Sequence, residues 1–196
     1  YLKAIQTYND IEEHLGVDKR VSIQKHSLYM QLNKTNLAIK EIEILIKEFP
    51  TDIEALEILS ELYLLNNQQD KALEMFRYIA KTTPKNGYIH LKLANYYRDQ
   101  GDNERSYEEL KKAFKSLNLS IDTKIPALIS YLPLIEEDEA MKKQAFELCK
   151  ILVDIHNEDH KAYTMYADLL YANKENEEAK KQYLKAIELD KNQSQI

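Results

Sequence analysis

Apolar residues recur along this chain at intervals of three and four, the spacing that lines one face of an α-helix. In residues 53–86 Leu56, Leu59, Ser60 and Tyr63 follow it, then a polar stretch from Asn66 to Asp70, then Ala72, Phe76, Ile79 and Ala80, with Pro84 behind them. This pattern predicts helix, turn, helix and stop. Residues 87–120 repeat it with His90, Leu93, Ala94 and Tyr97, a turn at Gln100-Gly101-Asp102, then Ser106, Leu110, Ala113 and Phe114. Residues 19–52 carry Ser22 and Tyr29, a turn around Asn33 to Asn36, then Ala38, Ile42, Leu45, Ile46 and Pro50. The small residues Ala4, Ala38, Ala72 and Ser106 stand 34 positions apart. A period of that length predicts an all-α chain, a helical solenoid whose hairpins each leave an apolar face that only a neighbour covers.

The last block, residues 160–193, shows the pattern most fully: Tyr163, Tyr166, Ala167, Leu170, Ala179, Tyr183 and Ala186, with the ending Ala186-Ile187-Glu188-Leu189-Asp190. On these positions the chain resembles the tetratricopeptide repeat family, whose unit combines small residues at fixed places with large and aromatic ones beside them. The resemblance implies a right-handed superhelical solenoid of antiparallel helix pairs. Small side chains let the two helices of a pair approach closely, and the bulky ones fill the space beside that contact.

Between Ile121 and Asp159 the unit lengthens to 39 residues. Pro126 is expected to open a helix and Pro133 to end or kink one. The run Glu136-Glu137-Asp138-Glu139 suits a loop leading into a helix N-terminus, where the dipole favours negative charge. The second helix then runs from Ala140 to His156, with Ala145, Cys149 and Leu152 on its small-residue and apolar register, and the array is expected to bend here. The organisation read from the sequence is a truncated unit at 1–18, regular units at 19–52, 53–86 and 87–120, a divergent one at 121–159, and a regular one at 160–193. Opening in mid-repeat without an initiator Met, the chain reads as a stretch of a longer protein. No extra polar helix follows the final unit, so self-association through uncapped ends is open to it.

Composition narrows the function classes. Only 3 Gly and 4 Pro leave little room for sheets or long loops, and 27 basic against 33 acidic residues give a net charge of -6. That balance argues against a nucleic-acid partner. No apolar run of about 20 residues suggests membrane insertion, there is no signal-peptide pattern, and nothing assigns a compartment. Cys149, the single cysteine, falls on a buried stripe and reads as a small core hydrophobe. There is no phosphate loop, nucleophile elbow, Cys-x-x-Cys pair or His-Glu-x-x-His motif, so we expect neither catalysis nor a cofactor. His156 and His160 are four apart, but the repeat places them at the end of one helix and the start of the next, a poor frame for a metal. The acidic run lacks the alternating oxygens and central Gly of a calcium loop.

In the resembled family, function lies on the concave face built from the first helix of each unit. The corresponding positions include Glu54, Glu57, Glu61 and Leu64 in one unit, Tyr88, Leu91, Asn95 and Arg98 in the next, and Thr164, Asp168 and Tyr171 in the last. The carboxylate clamp by which some members hold acidic chaperone tails is absent, since of its positions only Asn95 fits. The expectation is a non-catalytic protein-interaction scaffold that takes a partner segment in a groove. That segment would carry Lys or Arg beside an apolar anchor, with Glu57 and Glu61 near the cations and Leu64, Tyr88 and Leu91 against the anchor. The alternatives are ordinary solvated helix faces, or a spacer or self-assembly element within a larger protein.

Overall fold

The computed structural model describes residues 1–193, and among them all regular structure is helical. Two compact bodies divide the chain, Tyr1–Pro84 and the part from Lys85 onward. The first holds α1 (Leu2–Leu15), α2 (Lys19–Gln31), α3 (Thr35–Glu48), α4 (Ile53–Leu65) and α5 (Gln69–Thr82). The second holds α6 (Gly87–Asp99), α7 (Asn103–Lys115), α8 (Ile121–Ile129), α9 (Glu139–Ile155), α10 (His160–Ala172) and α11 (Asn176–Gln193). A 3₁₀ turn, Leu132–Leu134, lies between α8 and α9.

Helix borders repeat as regularly as the apolar stripe. Asp18, Asp52, Asn86, Ser120 and Asp159 each accept a backbone N–H from the first turn of the helix that follows, satisfying donors that have no intrahelical partner. At the opposite ends Asn33, Asn67, Gly101 and Lys174 take left-handed backbone, with φ of 54°, 56°, 75° and 65°. The next N–H then reaches back to the carbonyl of Tyr29, Tyr63, Tyr97 or Leu170, closing a Schellman motif. The chain thus reverses within a few residues, and α2 with α3, α4 with α5, α6 with α7, and α10 with α11 pack as antiparallel pairs. Gly101 adopts this backbone without the Cβ penalty that Lys174 carries.

In the first body Ala38 and Ala72 are wholly enclosed, with Ile42, Leu45, Phe76 and Ile79 on the same stripes. The core of the second gathers Phe114, Leu128, Leu148, Cys149, Leu152 and Leu169. Ser106 fills the small-residue place on α7, and its hydroxyl donates to the Ala94 carbonyl at 2.8 Å, so its burial leaves no polar atom unpaired.

Three positions in apolar register hold polar side chains instead. Lys25, buried on α2, puts its Nζ 2.6 Å from Glu12 on α1 and 2.7 Å from Glu41 on α3, while Ser22 Oγ donates to Glu12 at 3.1 Å. Burial holds the Glu41 carboxyl above its ordinary range. It also pulls the Lys25 ammonium down, but hydrogen bonds to Glu12 and Glu41 more than reverse this and leave it raised. His90 Nδ1 lies 2.6 Å from Glu109 across the α6–α7 pair. Lys124 on α8 is fully buried.

The long unit departs most from the pattern. Ser120, not Pro126, opens α8, and Pro126 sits inside the nine-residue helix. Lacking an N–H, it leaves the hydrogen-bond ladder one rung short. Pro133 lies in the 3₁₀ turn. Asp138, from the acidic run, accepts from Ala140 N at 2.8 Å and Met141 N at 3.0 Å and so starts α9. Because α8 is short, α7 packs directly on α9, while α8 rests on α9 and α10. A hollow opens beside the α6–α7 pair.

Candidate functional site

That hollow is a cavity of about 530 Å³ within the second body. Its buried floor includes Ser106 and Leu110 from α7 and Tyr131 after α8. Leu91, Asn95, Ala127, Met141 and Gln144, all half-buried, form the walls. The exposed rim carries Arg98, Asn103, Thr123, Pro126, Ser130 and Leu134. Among these residues Arg98 is the one charged side chain, and none is Asp or Glu.

Short hydrogen bonds fix the polar groups. Arg98 Nη2 donates to Asn95 Oδ1 at 2.9 Å, one helical turn apart on α6. Tyr131 Oη donates to Gln144 Oε1 at 3.2 Å, tying the floor to α9, and Ser130 Oγ donates to the Ala127 carbonyl at 2.6 Å. Burial raises the Tyr131 phenol above its ordinary pKa, with the positive charge of Arg98 pulling the other way. The phenol is therefore a neutral donor at physiological pH. No nucleophile is paired with a base here, and the chemistry available is hydrogen bonding, one cation and apolar contact.

Behind α8 lies the anchor that holds this wall. Lys124 Nζ donates to the Phe114 carbonyl at 2.9 Å, the Ser116 carbonyl at 2.8 Å and His156 Nε2 at 2.9 Å. Burial pushes the lysine down to about 8. His156 is also lowered, first by burial and then by Lys124, consistent with a neutral imidazole that accepts at Nε2.

The structure brings three of the sequence-selected residues, Leu91, Asn95 and Arg98, into this one cavity. Tyr88, also on α6, is exposed outside its lining, with the Lys92 ammonium 5.0 Å from its ring centroid. On α10, Thr164 Oγ1 donates to the His160 carbonyl at 3.0 Å, Asp168 accepts from the Tyr183 hydroxyl at 2.6 Å, and Tyr171 is largely exposed. In the first body Glu54, Glu57, Glu61 and Leu64 share one face of α4, and Lys19 bridges Glu54 at 2.8 Å and Asp52 at 2.7 Å. His156 caps α9 and His160 begins α10, its Nε2 3.8 Å from Asp190. Among the described residues no group of three or more His, Cys, Asp or Glu is placed to hold a metal ion, and no helix is long and apolar enough to cross a membrane. Sequence reasoning missed Pro126, Ala127, Ser130, Leu134 and Met141 as cavity residues. The five-residue lengthening and its two prolines were the available signal.

Paired helices closed by identical caps at a 34-residue step define a helical repeat protein. Residues 27–87 and 160–193 match family models described as tetratricopeptide repeat, and over these residues the chain carries tetratricopeptide repeats. Repeats of this family are in general scaffolds for protein interaction, and at that level so is this chain. A search of the curated proteins finds no match. Among solved structures, the C-terminal part of a tetratricopeptide repeat-containing protein from Cytophaga hutchinsonii is similar with TM-score 0.63 and 15% identity, over 96% of this chain and 74% of that one. A tetratricopeptide repeat protein from Parabacteroides merdae gives TM-score 0.60 at 13% identity, over 92% and 70%. A thermophilic relative in fold from Thermus thermophilus gives 0.51 at 21%, over 88% and 91%. At these identities the likeness speaks for the fold alone.

Proposed function

We propose that this scaffold seats an apolar side chain of a partner protein segment in the cavity beside α8. The observation that carries the reading is the cavity itself, about 530 Å³ with Leu91, Leu110, Leu134 and Met141 around polar rim donors. Its size and its mixture of apolar wall with a few oriented polar groups suit a preformed binding pocket. Panning a displayed peptide library against the whole chain tests it, with Ser130→Trp as the counter-screen because the indole would fill the mouth. Selected peptides should share an apolar anchor and lose binding to the variant. Peptides that bind both proteins equally would remove the cavity from the reading.

The first body supplies a separate contact in this proposal. Glu54, Glu57 and Glu61, on one face of α4 with Leu64, would receive Lys or Arg from a partner, and the exposed rings of Tyr88 and Tyr171 would add contact area elsewhere. Reversing Glu57 and Glu61 to Lys should weaken basic ligands selectively, and unchanged affinity for all of them would sink this part. A second reading, self-assembly, draws on an apolar hollow of about 500 Å³ against α1 and α2, lined by Tyr8, Ile11, Leu15, Val17 and Val21 among others. Sedimentation across a dilution series separates the two: a monomer that still binds selected peptides favours the first, and oligomers that bind none favour the second.

A further inference from the structure

We infer that the segment seated beside α8 carries a side-chain carboxylate next to its apolar anchor, and that Arg98 receives it. This rests on the cavity reading above. The chain as a whole is acidic, 33 carboxylate residues against 27 basic ones, yet the cavity is lined by one guanidinium and by no Asp or Glu. Two other cations of this body are already neutralised: Arg105 is held by Asp102 at 2.5 Å and Lys161 by Asp122 at 2.6 Å. Arg98 instead donates to the Asn95 amide at 2.9 Å. That bond uses one of five N–H donors, aims the group, and leaves its charge uncompensated by any carboxylate of the lining.

Position fits the assignment. Arg98 is exposed at the rim, whereas Leu110 and Tyr131 are buried at the floor, so an anchor can descend while its acidic neighbour stays beside water at the guanidinium. The influence of Arg98 already extends to the Tyr131 hydroxyl at the floor. A Lys or Arg in the same place would be repelled. An internal Asp or Glu next to the anchor reaches the rim without the partner chain having to end there, so the source chosen is a side chain rather than a C-terminus.

The test uses the whole chain and fluorescence anisotropy at low salt. Three labelled peptide pools share a varied apolar central pair. One has Glu on both sides and blocked ends, one has Lys on both sides and blocked ends, and one has Gln on both sides with a free C-terminal carboxylate. The Glu pool should bind about tenfold more tightly than the Lys pool, as expected for exchanging one rim attraction for one repulsion. Arg98→Gln should bring the two within about twofold at unchanged helical circular dichroism, since Arg98 is exposed and its loss leaves the core intact. Equal affinities in the wild type, or a preference that survives Arg98→Gln, would overturn the inference while leaving the cavity reading in place. Stronger binding of the free-carboxylate pool would overturn the choice of a side chain. Wild-type affinity in Ser130→Trp would remove the cavity reading itself, and no binding of any pool at millimolar concentration would remove both.

Discussion

Replacing Lys124 by Met keeps most of the side-chain volume and removes its charge and all three of its donors. In the folded chain the ammonium is enclosed and its pKa falls from 10.5 to about 8. Holding it charged at neutral pH therefore costs about 3 kcal/mol. Against that stand three acceptors that, among the described residues, Lys124 alone is placed to satisfy: the Phe114 and Ser116 carbonyls near the end of α7, and His156 Nε2. Leaving each of them buried and unpaired costs about 1–3 kcal/mol, and the cation also sits at the negative end of α7. The bonds outweigh the charge, and Lys124→Met should destabilise the chain by about 3 kcal/mol at pH 7. The pH dependence is diagnostic. Between pH 8 and 10.5 the unfolded chain holds this proton and the folded chain does not, so raising pH favours the folded state through this residue. The wild-type advantage should thus widen across that window, by up to about 3 kcal/mol, and be smallest at pH 7. Urea unfolding followed by circular dichroism, on both proteins at matched pH values, measures the difference and cancels the tyrosines that titrate nearby. A variant as stable as the wild type at pH 7, or a difference that stays flat from pH 7.5 to 10.5, would refute the argument.

Other positions give independent checks. A Cβ at Gly87 would lie 2.6 Å from Ser116 Cβ and 2.7 Å from its Oγ, so Gly87→Ala should cost about 1–3 kcal/mol despite the better helix propensity of Ala. Melting curves should show rescue by Ser116→Gly but not by Ser116→Ala, which keeps the clashing carbon. Lys25→Met strands the Glu12 and Glu41 carboxylates and should cost about 3–5 kcal/mol at pH 7. Because burial already raises Glu41, acid neutralises it readily, and the deficit should shrink when unfolding is repeated near pH 5. Lys174→Gly relieves a left-handed residue with φ 65° at the loss of only a long, exposed contact to Glu136. A gain of about 1 kcal/mol is expected in urea unfolding, and no gain would contradict the strain assigned there.

Much of the fold was legible because it is local. Ala72, Phe76 and Ile79 face one way by helix geometry alone, and all three are buried. Asp52, Asn67 and Asn86 mark helix ends through hydrogen bonds and backbone preferences within a few residues of themselves. Pro126 misled because an N-terminal place for proline is a preference, and Ser120 was the stronger start signal. Lys25 and Lys124 went unmarked in the sequence reading although they stand in apolar register, and nothing in their neighbourhood along the chain named Glu41 or His156 as the partner.

The helical period and its caps follow from the chain's own residues, since hydrogen bonds span four positions and an apolar stripe must leave water wherever it occurs. The cavity beside α8 obeys no such local law. It exists because a short helix let α7 reach α9, joining Leu91 and Arg98 on one side to Ala127, Leu134 and Met141 on the other. Lys124 meets His156 across 32 positions of sequence for the same reason: which side chains become neighbours at that range depends on how whole helices pack, and packing answers to volume and unsatisfied hydrogen bonds summed over many residues.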